Sequence, residues 1–244
     1  MELEGKVALV TGASRGIGRA IAAGYAAAGA HVALAARDAG NLEAVAGEIR
    51  AAGGSCSIHP LDVTEHTAVV RTIDGIVAEH GSLDVLCNNA GVSTAPGNAV
   101  DVPPERVAGV FAVNVIGLYA CCHAALPHML AGGYGRIVNI GSGSAFMCKP
   151  GSSAYSSSKA AVNAITVALS GEVGEADVLV NAMSPGYIRS DMNPAGTDEP
   201  EESVPTALWL AALPKGGPTG RFFRFMGELP ILPQTEMDFT SGKD

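Results

Sequence analysis

Two hydrophobic periods take turns along this chain. Short β-type runs at 6–11, 31–35, 55–61, 83–88, 136–140 and 178–183 look like buried strands. Between them, 16–28, 39–52, 65–80, 104–131 and 153–173 carry apolar residues at helical spacing. Strand and helix in alternation predict a parallel sheet, because parallel neighbours need a crossover and a helix is the usual one. Right-handed crossovers put helices on both faces. The expected architecture is therefore a doubly wound α/β sheet that binds its ligand outside the carboxyl ends of the strands.

With 244 residues, 48% of them apolar, and no long Gly/Ser/Pro tract, the chain reads as one domain over 1–244 with a single sizeable core. The stretch 191–206 contains Pro194, Gly196, Pro200 and Pro205 and is expected to be a mobile substrate lid, and 227–244 a C-terminal tail. A formal net charge of −9 argues against a nucleic-acid partner, whose phosphates recruit clustered Lys and Arg. Cys56, Cys87, Cys121, Cys122 and Cys148 are odd in number and contain no Cys-x-x-Cys pair, so reduced thiols are expected rather than disulfides or a zinc site. His123 and His128 lie on an apolar helix without a Glu at zinc-protease spacing, and no metal is expected. Met1-Glu2-Leu3-Glu4 has neither the basic nor the apolar region of a leader, and no apolar run reaches spanning length. A soluble cytoplasmic protein with no membrane partner is the expectation.

Thr11-Gly12-Ala13-Ser14-Arg15-Gly16-Ile17-Gly18 runs from the first strand straight into an Ala-rich helix. Strand, glycine turn and helix in that order aim backbone N–H groups and a helix N-terminus at a diphosphate. Further along, Tyr155-Ser156-Ser157-Ser158-Lys159 opens a helical segment on which Tyr155 and Lys159, four apart, share a face. Ser142 follows the 136–140 strand, thirteen residues before Tyr155.

Together with Asn114 in Phe111-Ala112-Val113-Asn114-Val115, these positions make residues 3–225 resemble the short-chain dehydrogenase/reductase family, down to the Gly-x-x-x-Gly-x-Gly spacing. The resemblance implies a single-domain Rossmann fold that binds its cofactor through Gly12, Ser14, Arg15, Gly16, Ile17 and Gly18. It also implies Asp62 at the adenine with Val63 beside it, Asn89, Ala90 and Gly91 near the nicotinamide ribose, and Pro185, Gly186 and Ile188 at the carboxamide. Tyr155 is then the acid/base, and Lys159 is the charge that stabilises its phenolate and binds the ribose. Ser142 donates to the substrate oxygen, and Asn114 holds a water that links Lys159 to solvent.

In this family a preference for NAD goes with an acid at the end of the second strand. Here Ala36 stands there, with Arg37 beside it and Arg15 in the glycine turn, a pair suited to a 2′-phosphate, so NADP(H) is expected. An alignment shifted by one residue would instead make Asp38 an NAD-type ligand. Gly141 replaces a serine frequent in the family, which leaves Ser144 as a rival to Ser142. Residues 208–214 and 217–223 are similar to the carbonyl-reductase-like branch, not to fatty-acid ketoacyl reductases. The implied activity is reduction of a ketone or aldehyde, a small-molecule carbonyl/alcohol substrate. An NAD-dependent alcohol dehydrogenase and a non-catalytic nucleotide-sensing protein are the alternatives. Apolar residues occupy more of the 153–173 circumference than one core stripe requires, so this helix and 104–131 are expected to build a homodimer or homotetramer.

Overall fold

A computed structural model describes residues 2–231. Seven parallel strands, β1 (Val7–Thr11), β2 (His31–Ala36), β3 (Ser55–Pro60), β4 (Val85–Asn88), β5 (Gly135–Ile140), β6 (Val178–Met183) and β7 (Phe222–Arg224), form one sheet in which β8 (Gly227–Leu229) runs antiparallel at the edge. Their order, β3-β2-β1-β4-β5-β6-β7-β8, reverses direction between β1 and β4, which opens a crevice at the carboxyl ends. β1, β5 and β6 are buried at every residue, as strands covered on both faces must be.

One face is covered by α1 (Gly16–Ala27), α2 (Ala39–Ala51) and α8 (Val204–Ala211), whose Ile21, Tyr25, Leu42, Ile49 and Leu210 share a core with β2. The other carries α3 (His66–His80), α5 (Leu118–Gly132) and α7 (Ser153–Glu172), through Ile73, Leu118, Met129, Val162 and Leu169. Both layers and all six expected strands are present, and the α/β architecture expected from the alternation is the one observed. β3, expected to be buried, is instead the edge of the sheet, and none of its residues is buried, in keeping with its Ser55, Ser57, His59 and Pro60.

Several details differ from the sequence expectation. The helix expected over 104–131 is not regular: α4 (Pro104–Phe111) passes through a π-helical turn at Ala112–Gly117 before α5 begins. Gly117 lies so close to Val63 that a Cβ there would come within 2.7 Å of the valine side chain, and the widened turn sits beside that contact. The whole run Pro104–Gly132, 29 residues, is long and apolar enough to cross a membrane, contrary to the expectation that no such stretch exists. In the fold it is a core helix, with Leu118, Cys121, Cys122, Ala125 and Met129 packed in the second layer.

α6 (Ser144–Met147), α8, β7 and β8 were not anticipated, being too short or too weakly periodic to register. The expected lid over 191–206 is irregular only as far as Glu199. Pro200–Ser203 is a 3₁₀ turn closed by reciprocal Glu199 and Glu202 capping, α8 follows directly, and Val204 fits against Gly24 of α1. Of the expected tail, Gly227–Leu229 is β8 and Ile231 accepts a hydrogen bond from Asn163 Nδ2 (3.1 Å). The remainder lies outside the described residues.

Candidate active site

The residues nominated from the sequence gather at the carboxyl end of the sheet, in the turns after β1 to β6 and on the helices that flank them. The glycine turn is shaped by close approach. Gly12 adopts φ +66°, and a Cβ there would lie 2.9 Å from Asn89 Nδ2, while one at Gly18 would meet the Gly12 carbonyl oxygen at 2.2 Å. The turn is tied to β4 through Thr11, whose hydroxyl accepts from the Asn89 (3.1 Å) and Ala90 (3.0 Å) amides, and through Asn89 Nδ2, which donates to the Thr11 and Gly12 carbonyls. α1 starts with no side-chain cap and no acid in its first turn, whereas α2 is capped by Asp38, which accepts from the Asn41 amide (3.0 Å) and side chain (2.8 Å). The α1 N-terminus follows the glycine turn at the crevice, and with no side-chain cap and glycine-lined space before it, it suits a diphosphate.

At the adenosine end, Asp38 is occupied as a cap, so the carboxylate that an NAD-type reading required is already engaged. Arg37 and Arg15 have largely exposed side chains, 71% and 72%. Arg37 lies 4.0 Å from Asp62, and Arg15 pairs with Asp191 at 2.5 Å across the crevice mouth. Asp62 Oδ1 accepts from the Thr64 amide (3.0 Å) and hydroxyl (2.8 Å), and the amide bond is the main reason its carboxyl titrates below the usual range. Val63 is buried beneath it.

On the opposite wall, Asn114 occupies the π-helical turn. Its Oδ1 accepts from the Val92 amide (2.8 Å) and its Nδ2 donates to the Val92 carbonyl (2.9 Å) and to Ser158 Oγ (3.0 Å). Both ends of this side chain are thus committed to holding the loop after β4. Gly91 completes the corner: a Cβ on it would lie 3.5 Å from Asn114 Oδ1 and 3.7 Å from Lys159 Nζ.

Tyr155 and Lys159 stand on the same face of α7, with Nζ 5.8 Å from the phenol ring centroid. Lys159 is buried, donates to the Ile140 carbonyl (2.7 Å), and is lowered by burial to about 8. Burial pushes the Tyr155 phenol up, and the Ser142 hydroxyl acts against that shift. Burial therefore favours the protonated phenol of Tyr155. Ser142 follows β5, accepts from the Ser144 backbone amide (3.1 Å), and is the hydroxyl beside Tyr155. Gly141 has a steric reason: a Cβ there would stand 2.8 Å from the Phe222 ring.

Pro185, Gly186 and Ile188 line the turn after β6. There Asp198 accepts from the Tyr187 amide (2.8 Å) and Asn193 Nδ2 donates to the Ile188 carbonyl (3.0 Å). Sequence reading overlooked Thr11 and Ser158 as organisers of this site. Ser158 could have been found, since it lies three residues from Tyr155 on the same helix face. Nothing local marks the Arg15 partner, Asp191, 176 residues away.

Residues 6–201 match the model of the family described as short chain dehydrogenase. The chain is 38% identical over 207 residues to the 3-oxoacyl-[acyl-carrier-protein] reductase FabG of Staphylococcus aureus, covering 84% of each chain. It is 36% identical over 221 residues to the D-threitol dehydrogenase of Mycolicibacterium smegmatis, covering 90% of this chain and 81% of the relative. Among solved structures, a metagenomic short-chain oxidoreductase in complex with NADP superposes with a TM-score of 0.81 at 35% identity, over 89% of this chain and 95% of that one.

Proposed function

This chain belongs to the short-chain dehydrogenase/reductase family of oxidoreductases, and on that premise we propose that it uses NADP(H) to reduce a ketone or aldehyde to an alcohol. The observation that carries the reading is the convergence of Ser142, Tyr155 and a buried Lys159 beside an uncapped glycine turn. NADP(H) is favoured over NAD by the commitment of Asp38 to α2 and by the two arginines at the adenosine end. The NADP complex of the metagenomic relative points the same way. Gly12 to Gly18 would hold the diphosphate, Arg15 and Arg37 the 2′-phosphate, and Asp62 the adenine. Asn89 to Gly91, Lys159 and Pro185 to Ile188 would hold the nicotinamide end.

When bound, the cofactor supplies a hydride to the carbonyl carbon. Ser142 donates to the substrate oxygen, and Tyr155 gives its phenolic proton to that oxygen as charge develops. Lys159 stabilises the resulting phenolate, which regains a proton from solvent by way of Lys159. Asn114 holds the Val92 loop and Ser158 in place around this path. The balance is ketone plus NADPH plus a proton to alcohol plus NADP⁺.

We further propose that the protein is cytoplasmic and belongs to the carbonyl-reductase-like side of its family, with the irregular 191–199 part of the loop after β6 as the substrate cover. We also propose a homo-oligomer. α7 turns Ser158, Lys159, Asn163 and Thr166 inward and leaves Ala164 and Ala168 exposed, and Ile116 and Tyr119 are exposed along the neighbouring helix. Small outward residues permit close helix pairing. A mass near 24.6 kDa by light scattering at every dilution would refute assembly. NADPH consumption with a ketone panel tests the activity. Tight NADPH binding without turnover of any compound would favour a nucleotide sensor instead.

A further inference from the structure

Twelve large hydrophobic side chains are exposed among the described residues, and half of them sit around this one site. Phe146 and Met147 lie on α6 after β5, Tyr187 and Met192 after β6, and Phe225 and Met226 in the β7–β8 turn. The placement has a backbone cost. Phe225 (φ 50°), Met226 (φ 60°) and Cys148 (φ 42°) are the three non-glycine residues with positive φ among the described residues, and each lies in or beside this apolar rim. Bulky residues avoid the left-handed region, and a two-residue hairpin turn of this kind is ordinarily Asn-Gly, so the turn keeps two large apolar side chains at the expense of strain.

The rim is continuous with the reacting groups. Phe146 packs edge-on against Phe222 (5.1 Å), the ring that excludes a side chain from Gly141, next to Ser142. Met147 reaches over Gly143, and Phe225 over Gly186. Charges on the same segments are already engaged. Arg189 lies 3.5 Å from Glu199, Asp198 accepts from Tyr187 and Thr197, Asp191 pairs with Arg15, and the Arg224 guanidinium lies 5.1 Å from the Phe225 ring. Lys149 and Arg224 are the rim cations with no carboxylate partner among the described residues.

We infer that the carbonyl compound taken by the Ser142–Tyr155 site carries bulky, uncharged, apolar substituents, which Phe146, Met147, Tyr187 and Phe225 cover. The inference rests on the carbonyl-reductase reading above and narrows it. A sugar-like polyol would leave its hydroxyls against apolar side chains, and a carboxylate would find only Lys149 and Arg224, the latter set over the Phe225 ring.

The test uses the full chain with NADPH and initial rates over the methyl ketones from 2-butanone to 2-nonanone, dihydroxyacetone, a 2-oxo acid with its methyl ester, and a 3-oxoacyl thioester of a small thiol. Each added methylene should raise kcat/KM by about two- to fourfold until the rim is filled, near the transfer value of a buried CH₂. Met147→Ser and Tyr187→Ser should flatten that slope. The ester should outrun the acid, and dihydroxyacetone should be the poorest substrate. A flat or falling ketone series overturns the inference. So does an acid that outruns its ester and loses the advantage in Lys149→Gln or Arg224→Gln, or turnover confined to the thioester. In all three of these cases the reductase reading survives. If nothing in the panel is reduced, and wild type and Tyr155→Phe are equally silent with NADPH bound, the parent reading fails together with the inference.

Discussion

Fifteen polar or charged side chains are buried in the described chain, and only Thr11 precedes residue 84. The half built on β1 to β3 packs through Val32, Leu34, Leu42, Val45 and Ile49, with Arg37 and Asp38 outside and the His31–Ser57–His59 contacts only part-buried on the β3 edge. The half built on β4 to β6 buries Asn88, Asn139 and Thr166 as a hydrogen-bonded row from β4 through β5 to α7, then Asn114 with Ser158, and Lys159 against a carbonyl. On the proposed function, the difference follows from what each half would hold. A diphosphate is met by backbone amides at a helix end, so side chains there need only stay out of the way. Proton transfer needs particular side chains at altered pKa values, and these exist only where water is excluded and every partner is fixed. Changes in the two halves should therefore fail differently.

Tyr155→Phe should give the largest effect and the one most confined to chemistry. Loss of the acid removes on the order of a thousandfold or more of turnover, with NADPH binding by fluorescence unchanged. Near wild-type rates would remove the basis for setting the catalytic half apart. Arg15→Ala with Arg37→Ala probes the other half. Because both guanidiniums are largely exposed and already lie near carboxylates, the expected loss of NADPH affinity is about 2 kcal/mol, roughly thirtyfold, with NADH little affected. Equal losses for both cofactors would show that neither arginine meets a 2′-phosphate.

Gly141→Ser would restore a residue common in the family, yet its Cβ would meet the Phe222 ring at 2.8 Å. The cost should be about 1–2 kcal/mol in thermal unfolding, recovered when Phe222→Leu is added. Absence of rescue would place the strain elsewhere. The smallest effect is a gain. Lys159 is lowered from 10.5 to about 8, so below pH 8 the folded protein holds an ammonium that the unfolded chain would hydrate better. That penalty is relieved as pH rises from 8 towards 10.5. Lys159→Met should therefore abolish turnover and raise stability at pH 7, by about 1 kcal/mol once the orphaned Ile140 carbonyl is counted. The advantage should vanish near pH 10. A variant less stable than wild type at pH 7 would mean that the Ile140 bond outweighs burial.

The sheet and its layers could be read from the chain because a strand covered on both faces must be continuously apolar and a covering helix must carry a stripe. Both are local patterns, present in 6–11, 31–35 and 178–183 as much as in 16–28 or 65–80. The glycine turn and the Tyr155–Lys159 spacing were legible for the same reason, since one turn and one helix face are short-range objects. Tertiary structure alone decided the rest. The π-helical turn at Asn114 shows no local signal, and Gly117 beside it fits Val63, more than fifty residues away in sequence. The glycine at 141 depends on Phe222 in a three-residue strand too short to have a period of its own. The pairing of Arg15 with Asp191 and the apolar rim drawn from three separate turns depend on how loops of unrelated sequence meet above the sheet. Periodicity records which side of an element is buried, and a side chain's partner across the fold leaves no mark in the spacing of its neighbours.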